Sequence, residues 1–241
     1  DQLLKTLAES PEGGPAPRIL LSRAQNIAEQ IVGALRSHPA AEQVEVAGSL
    51  RRPADSVKDL DLIATAKDPA ALAAALGELP LIESVHSAGD AGARVMTHAG
   101  MKVDLKVVEP DQFGNVLQHF TGSKAHNVAL REDAVRRGLS VSEYGITEVE
   151  SGEVFTTQSE EELYERLGYQ YIPAELRENA GELEAARTGE LPELVEPSQL
   201  RGDLHTHTHW SADGKNTLAE MVEAANAKGY AYYAITDHSH Y

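Results

Sequence analysis

A pair of aspartates restricts the fold of this chain more than any other feature of its sequence. Asp59 and Asp61 alternate with Leu60 and Leu62 in a largely apolar segment, 59–65. On a β-strand this alternation turns both carboxylates to one face and both leucines to the other. The segment therefore predicts a strand with one face in a core and one face that offers two ligands suited to Mg²⁺.

A second predicted strand, 101–108, supplies a third carboxylate. Asp104 lies on its polar face, opposite four apolar side chains: Met101, Val103, Leu105 and Val107. If this strand neighbours the strand of Asp59 and Asp61, the carboxylate of Asp104 reaches the same metal. It could then take the proton from an attacking hydroxyl.

The segment before Asp59 has the composition of a triphosphate-binding turn. Gly48 and Ser49 let backbone N–H groups and a hydroxyl approach an anion closely. Arg52, the second of two arginines, and Lys58 supply positive charge for phosphate oxygens. Magnesium held by carboxylates usually completes its shell with substrate phosphates, so the turn and the aspartates together predict a nucleotide site.

The remaining periodicity predicts an α+β fold. Apolar residues at helical spacing follow Ser22, a predicted N-cap. Further elements alternate in an order that indicates a mixed β-sheet: strands at 44–50, 59–65, 82–88, 93–98 and 101–108, helices opening at Asp68–Pro69, Gln112, Ser123 and Ser159, and a strand pair at 139–141 and 144–149. A final strand, helix and strand, at 203–207, 218–228 and 231–236, form one βαβ unit.

The charge of the chain is uneven. The net charge of −17 argues against a DNA-binding surface spread over the whole molecule, but residues 1–150 hold 21 acids and 15 bases, whereas 151–241 hold 17 acids and 6 bases. With no cysteine, any metal must be held by Asp, Glu or His. No apolar run approaches the length that spans a bilayer, so we expect a cytoplasmic chain with no membrane partner.

Gly-Ser-x-Arg-Arg at Gly48, the Asp-x-Asp pair and the lone Asp104 together resemble the nucleotidyltransferase palm of X-family DNA polymerases. The resemblance implies two sets of palm residues: Asp59, Asp61 and Asp104 as catalytic ligands of Mg²⁺ or Mn²⁺, and Gly48, Ser49, Arg52 and Lys58 as nucleotide-binding residues. Lys58 stands where many relatives have glycine, so a side chain there would replace a backbone contact with phosphate.

The run from His119 to Asn127 resembles the entry to the thumb in the same family. Its tight turn at Gly122 leads into a helix, and Phe120 offers a flat ring to a sugar. Asn127 and Arg131 are four residues apart and share a helix face that reaches the minor-groove edge of a base pair. The implied nucleotide-binding residues are His119, Phe120, Gly122, Asn127 and Arg131.

A third motif places His205 and His207 on one strand and His238 after the next, with Asp213 between them. Histidines at neighbouring strand ends are a metal-site geometry, and mixed nitrogen and oxygen ligands suit Mn²⁺ or Zn²⁺. The motif resembles the opening of a PHP (polymerase and histidinol phosphatase) domain, a metal-dependent phosphoesterase on a β/α barrel.

The expected organisation follows these motifs: a helical tail and linker at 1–17, a palm at 18–120, a small α/β thumb at 121–175, an acidic linker at 176–200 and the first βαβ unit of a PHP barrel at 201–241. The resemblance implies a monomeric gap-filling DNA polymerase of DNA repair that uses gapped or primer-template DNA and dNTPs. A 3′–5′ exonuclease activity is expected only in a longer chain that completes the PHP domain.

Two alternatives remain open from the sequence alone. A nucleotidyltransferase that acts without a template would share the palm motif but would have no use for the arrangement of Asn127 and Arg131. A metal-dependent phosphoesterase could instead keep the palm only as a platform for DNA. The intact set of Asp59, Asp61 and Asp104 argues against the second alternative.

Overall fold

The computed structural model of this chain describes residues 18–239, which divide into two compact units at the junction of Leu191 and Pro192. The predicted helical tail and linker at 1–17 lie outside the described residues. No helix within residues 18–239 is long and apolar enough to cross a membrane.

The first unit begins with the elements of the predicted palm. Its helices are α1 (Leu21–Arg36), α2 (Gly48–Arg51), α3 (Pro69–Gly77) and α4 (Phe113–Thr121), and its strands are β1 (Ile19–Leu20), β2 (Ala41–Val46), β3 (Ser56–Val57), β4 (Asp59–Ala66), β5 (Ile82–Gly89), β6 (Gly92–Thr97) and β7 (Lys102–Val107). Helix α3 begins as the sequence predicts, because Asp68 accepts a hydrogen bond from the N–H of Ala71 and Pro69 occupies the first turn.

Five strands form a mixed sheet in the order β2-β4-β7-β6-β5. The pair β4–β7 is parallel and the other neighbours are antiparallel. One face is covered by α1 and α3, which bury the apolar side of β4 and β7. On the other face, α4 packs Phe113 and Leu117 against Ile63 of β4. At the end of β4 that α4 does not cover, Asp59 is exposed and Asp61 is half-buried.

The elements of the predicted thumb, followed by a helix from the segment predicted as a linker, complete the first unit: α5 (Lys124–Arg136), β8 (Leu139–Ser142), β9 (Gly145–Glu148), β10 (Val154–Phe155), α6 (Glu160–Arg166) and, from the predicted linker, α7 (Glu182–Thr188). They enclose a core of their own around Leu130, Leu163 and Tyr164. Strand β10, which pairs with β9, was not predicted, because two residues carry no readable periodicity.

The second unit contains the predicted βαβ arrangement. Strands β11 (Gly202–Thr206) and β12 (Tyr232–Ile235) pair in parallel, and α8 (Leu218–Ala227) joins them. Thr217 and Glu220 form a capping box that starts α8.

Two sequence-based assignments of local structure were wrong. The strand predicted at 44–50 ends at Val46, because Gly48 adopts a left-handed conformation (φ 65°) that turns the chain into α2. The linker predicted at 176–200 contains α7, and Ala186 of that helix is buried in the thumb core. Glu182 of this segment is buried against His126, whereas its other glutamates are exposed, so the acidic composition hid a folded helix.

Candidate functional site

The parallel register of β4 and β7 brings the predicted carboxylates together. Asp61 lies directly beside Asp104 across the strand pair, and Asp59 precedes Asp61 on the same face. The three side chains line a cavity of about 240 Å³ with Arg94 and Lys102. This arrangement provides oxygen ligands from two neighbouring strands, a set whose chemistry suits Mg²⁺ or Mn²⁺.

The electrostatics of Asp61 show how closely the acids interact. Burial, followed by the charges of Asp59 and Asp104, raises the pKa of Asp61 to about 6, while Lys106 and Arg52 oppose the shift. Carboxylates that repel one another in this way are stabilised by a divalent cation. The donors therefore fit the metal that the sequence predicts at this position.

The three carboxylates do not converge as closely as the sequence led us to expect. Among residues 18–239, the group whose ligand atoms all lie within 4.8 Å of one another is not in the palm; it comprises His207, Asp213 and His238. Asp104 instead accepts a hydrogen bond from Nε of Arg94, at 3.0 Å. Arg94 lies opposite Asp104 on β6, so its guanidinium holds the third carboxylate.

Gly48 is required at its position by its contact with Asp61. A Cβ at residue 48 would lie 2.3 Å from Oδ2 of Asp61, and the φ of 65° is itself unfavourable for other residues. The N–H of Ala47 also donates to the carbonyl of Asp61, at 2.8 Å. The turn before α2 therefore packs directly against β4 at Asp61.

The resemblance to a nucleotidyltransferase palm implies nucleotide incorporation, and we expect Gly48→Ala to lower its rate about 100-fold, because a displacement near 1 Å at a catalytic group has this effect. The matched control is Gly100→Ala, which is also a left-handed glycine but would bring its new methyl group within 4 Å of no other atom. Single-turnover primer extension measures the effect. Equal rates for the two variants would contradict the role of the Gly48 contact.

The other predicted phosphate-binding residues differ in their exposure and in their contacts. Ser49 is half-buried in α2, and Lys58 is exposed just before β4. Arg52 is 14% exposed, and its guanidinium donates to the carbonyl of Thr121 and to Glu178, at 2.7 Å from Nε. The structure thus places Arg52 in the contact between α2 and the thumb rather than at an open anion site.

The residues predicted to contact a base pair lie together where α4 meets α5. Nδ2 of Asn127 donates to the carbonyl of His119, at 2.8 Å, and Nη2 of Arg131 contacts Nδ1 of His119, at 2.9 Å. Phe120 lies under the ammonium group of Lys106, 4.4 Å from the ring centroid. Gly122 forms the turn between the helices with a φ of 67°. The structure therefore brings this whole set together.

Three nearby polar residues were not among the predicted site residues. Gln118 donates to Oδ1 of Asn127, at 2.9 Å, and Oε2 of Glu143 lies 3.5 Å from Nδ1 of His119. Lys106 connects Phe120 with the carboxylates, since its charge lowers the pKa of Asp61. Only its position two residues after Asp104 on β7, which puts both side chains on one face, could have indicated Lys106.

His126, within the run that resembles the entry to the thumb, is fully buried. Its Nδ1 lies 2.6 Å from Oε1 of Glu182, and its Nε2 lies 2.9 Å from the hydroxyl of Tyr164. Burial lowers the pKa of His126, so a neutral ring that donates to Glu182 and accepts from Tyr164 satisfies all three groups. His126 therefore fastens α7 to α5 and α6.

A buried ion cluster joins the palm to the thumb. Glu160 accepts from Arg51 of α2, at 2.7 Å, and forms a second ion pair with Arg177. Burial alone would raise the pKa of Glu160, but the two guanidinium groups hold it below its usual value. Arg51 also donates to the hydroxyl of Thr121, at 2.8 Å. The first arginine of the motif thus has a structural position.

In the second unit, three of the four predicted metal ligands meet. Asp213 lies 3.8 Å from Nδ1 of His207 and 3.4 Å from Nε2 of His238. Nδ1 of His207 is buried without a hydrogen-bond partner in the described part of the chain, so the donor set fits a metal ion. His205 is outside this group, but its ring packs edge-on against His207 with centroids 4.9 Å apart.

The loop that carries Asp213 is fastened to the end of β12 by a residue that the sequence did not reveal. Asp237 accepts hydrogen bonds from the N–H and hydroxyl of Thr208, both at 2.6 Å. Ser211 of the same loop accepts from the N–H of His238, at 2.7 Å. These bonds fix the loop and the histidine relative to one another.

Comparison with known proteins adds two family matches. The family model for the DNA polymerase beta thumb matches residues 116–178, and the model for the PHP domain matches residues 203–241. A curated relative from Bacillus subtilis (strain 168), "DNA polymerase/3'-5' exonuclease PolX", is 42% identical over 243 residues, which cover 100% of this chain and 42% of the relative.

A second relative, "DNA-directed DNA/RNA polymerase mu" from Homo sapiens, is 35% identical over 78 residues, or 32% of this chain and 16% of the relative. The chain spans less than half the length of either of these curated relatives.

Proposed function

We propose that this chain, which belongs to the X family of DNA polymerases in the form that continues into a PHP domain, transfers nucleotides to a DNA primer. The thumb and PHP family matches support this membership, as does the 42% identity of the whole chain to the Bacillus subtilis relative. The proposed reaction is gap filling in DNA repair, in which a primer 3′-hydroxyl attacks the α-phosphate of a dNTP, the bond between the α- and β-phosphates breaks, and pyrophosphate leaves.

One observation supports this reaction above the others. The parallel register sets Asp61 beside Asp104 on a sheet face that α4 leaves open, next to the turn at Gly48. The position gives a nucleotide's phosphates and a primer end access to the same carboxylates. A divalent cation bound there would neutralise charge that develops on the phosphates.

The residues of this chain would divide the work as follows. Asp59, Asp61 and Asp104 would hold Mg²⁺ or Mn²⁺, and Asp104 would also accept the proton of the 3′-hydroxyl. Phe120 supports the sugar. The phosphates would be bound by Gly48, Ser49, Arg52 and Lys58. Asn127 and Arg131 would contact the base-pair edge, and His119 and Gly122 would also bind the nucleotide. For Arg52 this role requires that its bond to Glu178 exchange for phosphate.

The second unit is proposed as the start of a metal-dependent phosphoesterase site. Mn²⁺ or Zn²⁺ would be held by His205, His207, Asp213 and His238. A longer chain that completes the PHP domain would cleave a DNA strand from its 3′ end.

We further propose that the protein acts as a monomer in the cytoplasm. The division into palm, thumb and PHP start at 18–120, 121–175 and 201–241 remains a proposal. In it α7 belongs to the thumb, in whose core Ala186 is buried, and not to a linker.

Primer extension across a one-nucleotide gap tests the polymerase directly, with each dNTP in turn and with Mg²⁺ or Mn²⁺. We expect incorporation of the dNTP that pairs with the template base. Addition of every dNTP at similar rates would indicate transfer without a template. No incorporation with either metal would contradict the proposal.

Arg131→Ala is expected to slow correct insertion and to narrow the difference between correct and incorrect dNTPs. In the structure Nη2 of Arg131 contacts Nδ1 of His119, and the proposal assigns this guanidinium to the minor-groove edge when DNA binds. That contact would be worth about 1 to 3 kcal/mol if bidentate. Arg136→Ala is the control, since it removes the same charge from an exposed position of α5. The measurement is the ratio of kcat/KM for the correct dNTP to kcat/KM for an incorrect dNTP. If Arg131→Ala leaves this ratio unchanged, Arg131 does not belong to the proposed site.

A further inference from the structure

Arg94 occupies an unusual position for a residue outside the predicted site. It lies directly across from Asp104 on β6, and its Nε donates to Oδ2 of Asp104 at 3.0 Å. Its side chain is 69% exposed and lines the carboxylate cavity. Within residues 18–239, Asp104 is the only polar partner of the Arg94 side chain, so the outer edge of its guanidinium faces solvent.

The ion pair conflicts with the role proposed for Asp104. A carboxylate oxygen that accepts from a guanidinium has less negative charge to offer a divalent cation or a proton. The three palm carboxylates do not bring their ligand atoms within 4.8 Å of one another. Arg94 and the metal therefore compete for Asp104.

The surroundings of Arg94 indicate what could release Asp104. His86 and Lys102 line the same cavity, and Lys106 follows on the same face of β7. In a chain with a net charge of −17, Arg94 and Lys102 place two positive charges on the cavity that the carboxylates line, and Lys106 adds a third positive charge close to Asp61. A ligand that carries several negative charges matches this edge, and guanidinium groups bind phosphate oxygens in pairs.

We propose that Arg94 is a positioning residue that holds Asp104 until a backbone phosphate of the primer strand binds the guanidinium. The phosphate oxygens then accept the hydrogen bonds of the Arg94 guanidinium in place of Asp104. The carboxylate of Asp104 becomes free for the metal and the 3′-hydroxyl. Primer binding and completion of the carboxylate site are in this way coupled through one side chain. The inference rests on the polymerase function proposed above.

The first test measures metal binding without DNA. Titration of Mn²⁺ into the chain is followed by electron paramagnetic resonance, in a His207→Ala/His238→Ala background that removes the second site. We expect Arg94→Ala to tighten Mn²⁺ binding roughly two- to fivefold, the range expected on losing a partly exposed ion pair. The further variant Asp59→Ala should abolish this binding, which assigns it to the palm.

The second test measures the binding of a gapped DNA duplex. For Arg94→Ala we expect weaker binding of a gapped duplex, with a salt dependence reduced by about one phosphate contact, and a higher KM for DNA with kcat within about twofold of the original. Arg94→Lys keeps the charge but not the paired donors, so it should restore the salt dependence and only part of the affinity. Arg36→Ala is the matched control, because it breaks an exposed arginine–glutamate pair at the β2 edge of the same sheet.

The outcomes separate this inference from the proposed function. Unchanged Mn²⁺ and DNA affinities in Arg94→Ala, together with normal incorporation, would overturn the role of Arg94 and leave the polymerase intact. A fall in kcat at saturating DNA and metal, with Mn²⁺ affinity unchanged, would also overturn it, because Arg94 would then act on the chemical step. Absence of incorporation by the unaltered chain would contradict the polymerase, while both binding measurements would still report on Arg94.

Discussion

Replacing Asp61 by asparagine is expected to abolish nucleotide incorporation while leaving the fold intact. A neutral amide is a poor ligand for Mg²⁺, and the loss of several kcal/mol of metal-assisted stabilisation corresponds to at least about a 1,000-fold slower reaction. Asp59→Ala should have a similar effect. Single-turnover extension of a gapped primer measures both rates. If either variant extends a primer at nearly the original rate, the assignment of these carboxylates is wrong.

The same substitution should stabilise the chain in the presence of a metal chelator. Because burial and the neighbouring acids raise the pKa of Asp61 from 3.8 to about 6, the charged form is unfavourable in the folded state. The destabilisation caused by the charged carboxylate is complete above about pH 6, and it disappears as the pH falls toward 4 and Asp61 becomes protonated. Asp61→Asn should therefore raise the free energy of unfolding by about 1 to 2 kcal/mol at neutral pH, after allowance for solvent screening, and by almost nothing near pH 4.

Urea unfolding at several pH values measures this gain. Asp90→Asn is the matched control, since Asp90 is exposed in the turn between β5 and β6. It should change neither activity nor stability. A destabilised Asp61→Asn at neutral pH would show that the carboxylate has a structural role in the metal-free chain.

Glu160→Gln is expected to destabilise the first unit by about 3 to 5 kcal/mol, the usual effect of breaking a buried ion pair. The side chains of Glu160 and Arg177 are 3% and 0% exposed, so the substitution leaves a buried guanidinium without its counter-ion. It also removes the partner of Arg51. Because this cluster joins α2 to the thumb, we expect incorporation to fall together with stability.

Glu161→Gln provides the control for this prediction. Glu161 is the next residue of α6 and shares its first turn, but it is exposed. It should change the free energy of unfolding by only a few tenths of a kcal/mol, which is the scale of a surface charge near a helix start. Equal effects for the two variants, measured by urea unfolding, would show that the buried pairing of Glu160 is not what stabilises the unit.

The sequence predicted those features that depend on short-range periodicity. The strand of Asp59 and Asp61 and the strand of Asp104 are both found where alternation indicates them. Their pairing could be proposed because a third carboxylate on the matching face completes a known kind of metal site. The α+β class and the mixed sheet followed from the order of such segments.

Features that depend on register or on distant partners could not be predicted. Arg94 reaches Asp104 only because β6 and β7 pair in one register, and a slip by one residue would turn it to the other face. Glu182 is buried because it meets His126, which lies 56 residues away. Without that partner a run of glutamates predicts an exposed linker, which explains why α7 was missed.

The parallel pairing of β4 with β7 also bears on the order of folding. Strands β5, β6 and β7 follow one another and pair as antiparallel neighbours, so their contacts are local. Pairing β7 with β4 requires the ends of a long intervening segment, residues 67–101, to meet, which is the slower kind of event. We therefore expect Asp61 and Asp104 to become neighbours late, so that metal binding during refolding reports the final strand pairing rather than the collapse that precedes it.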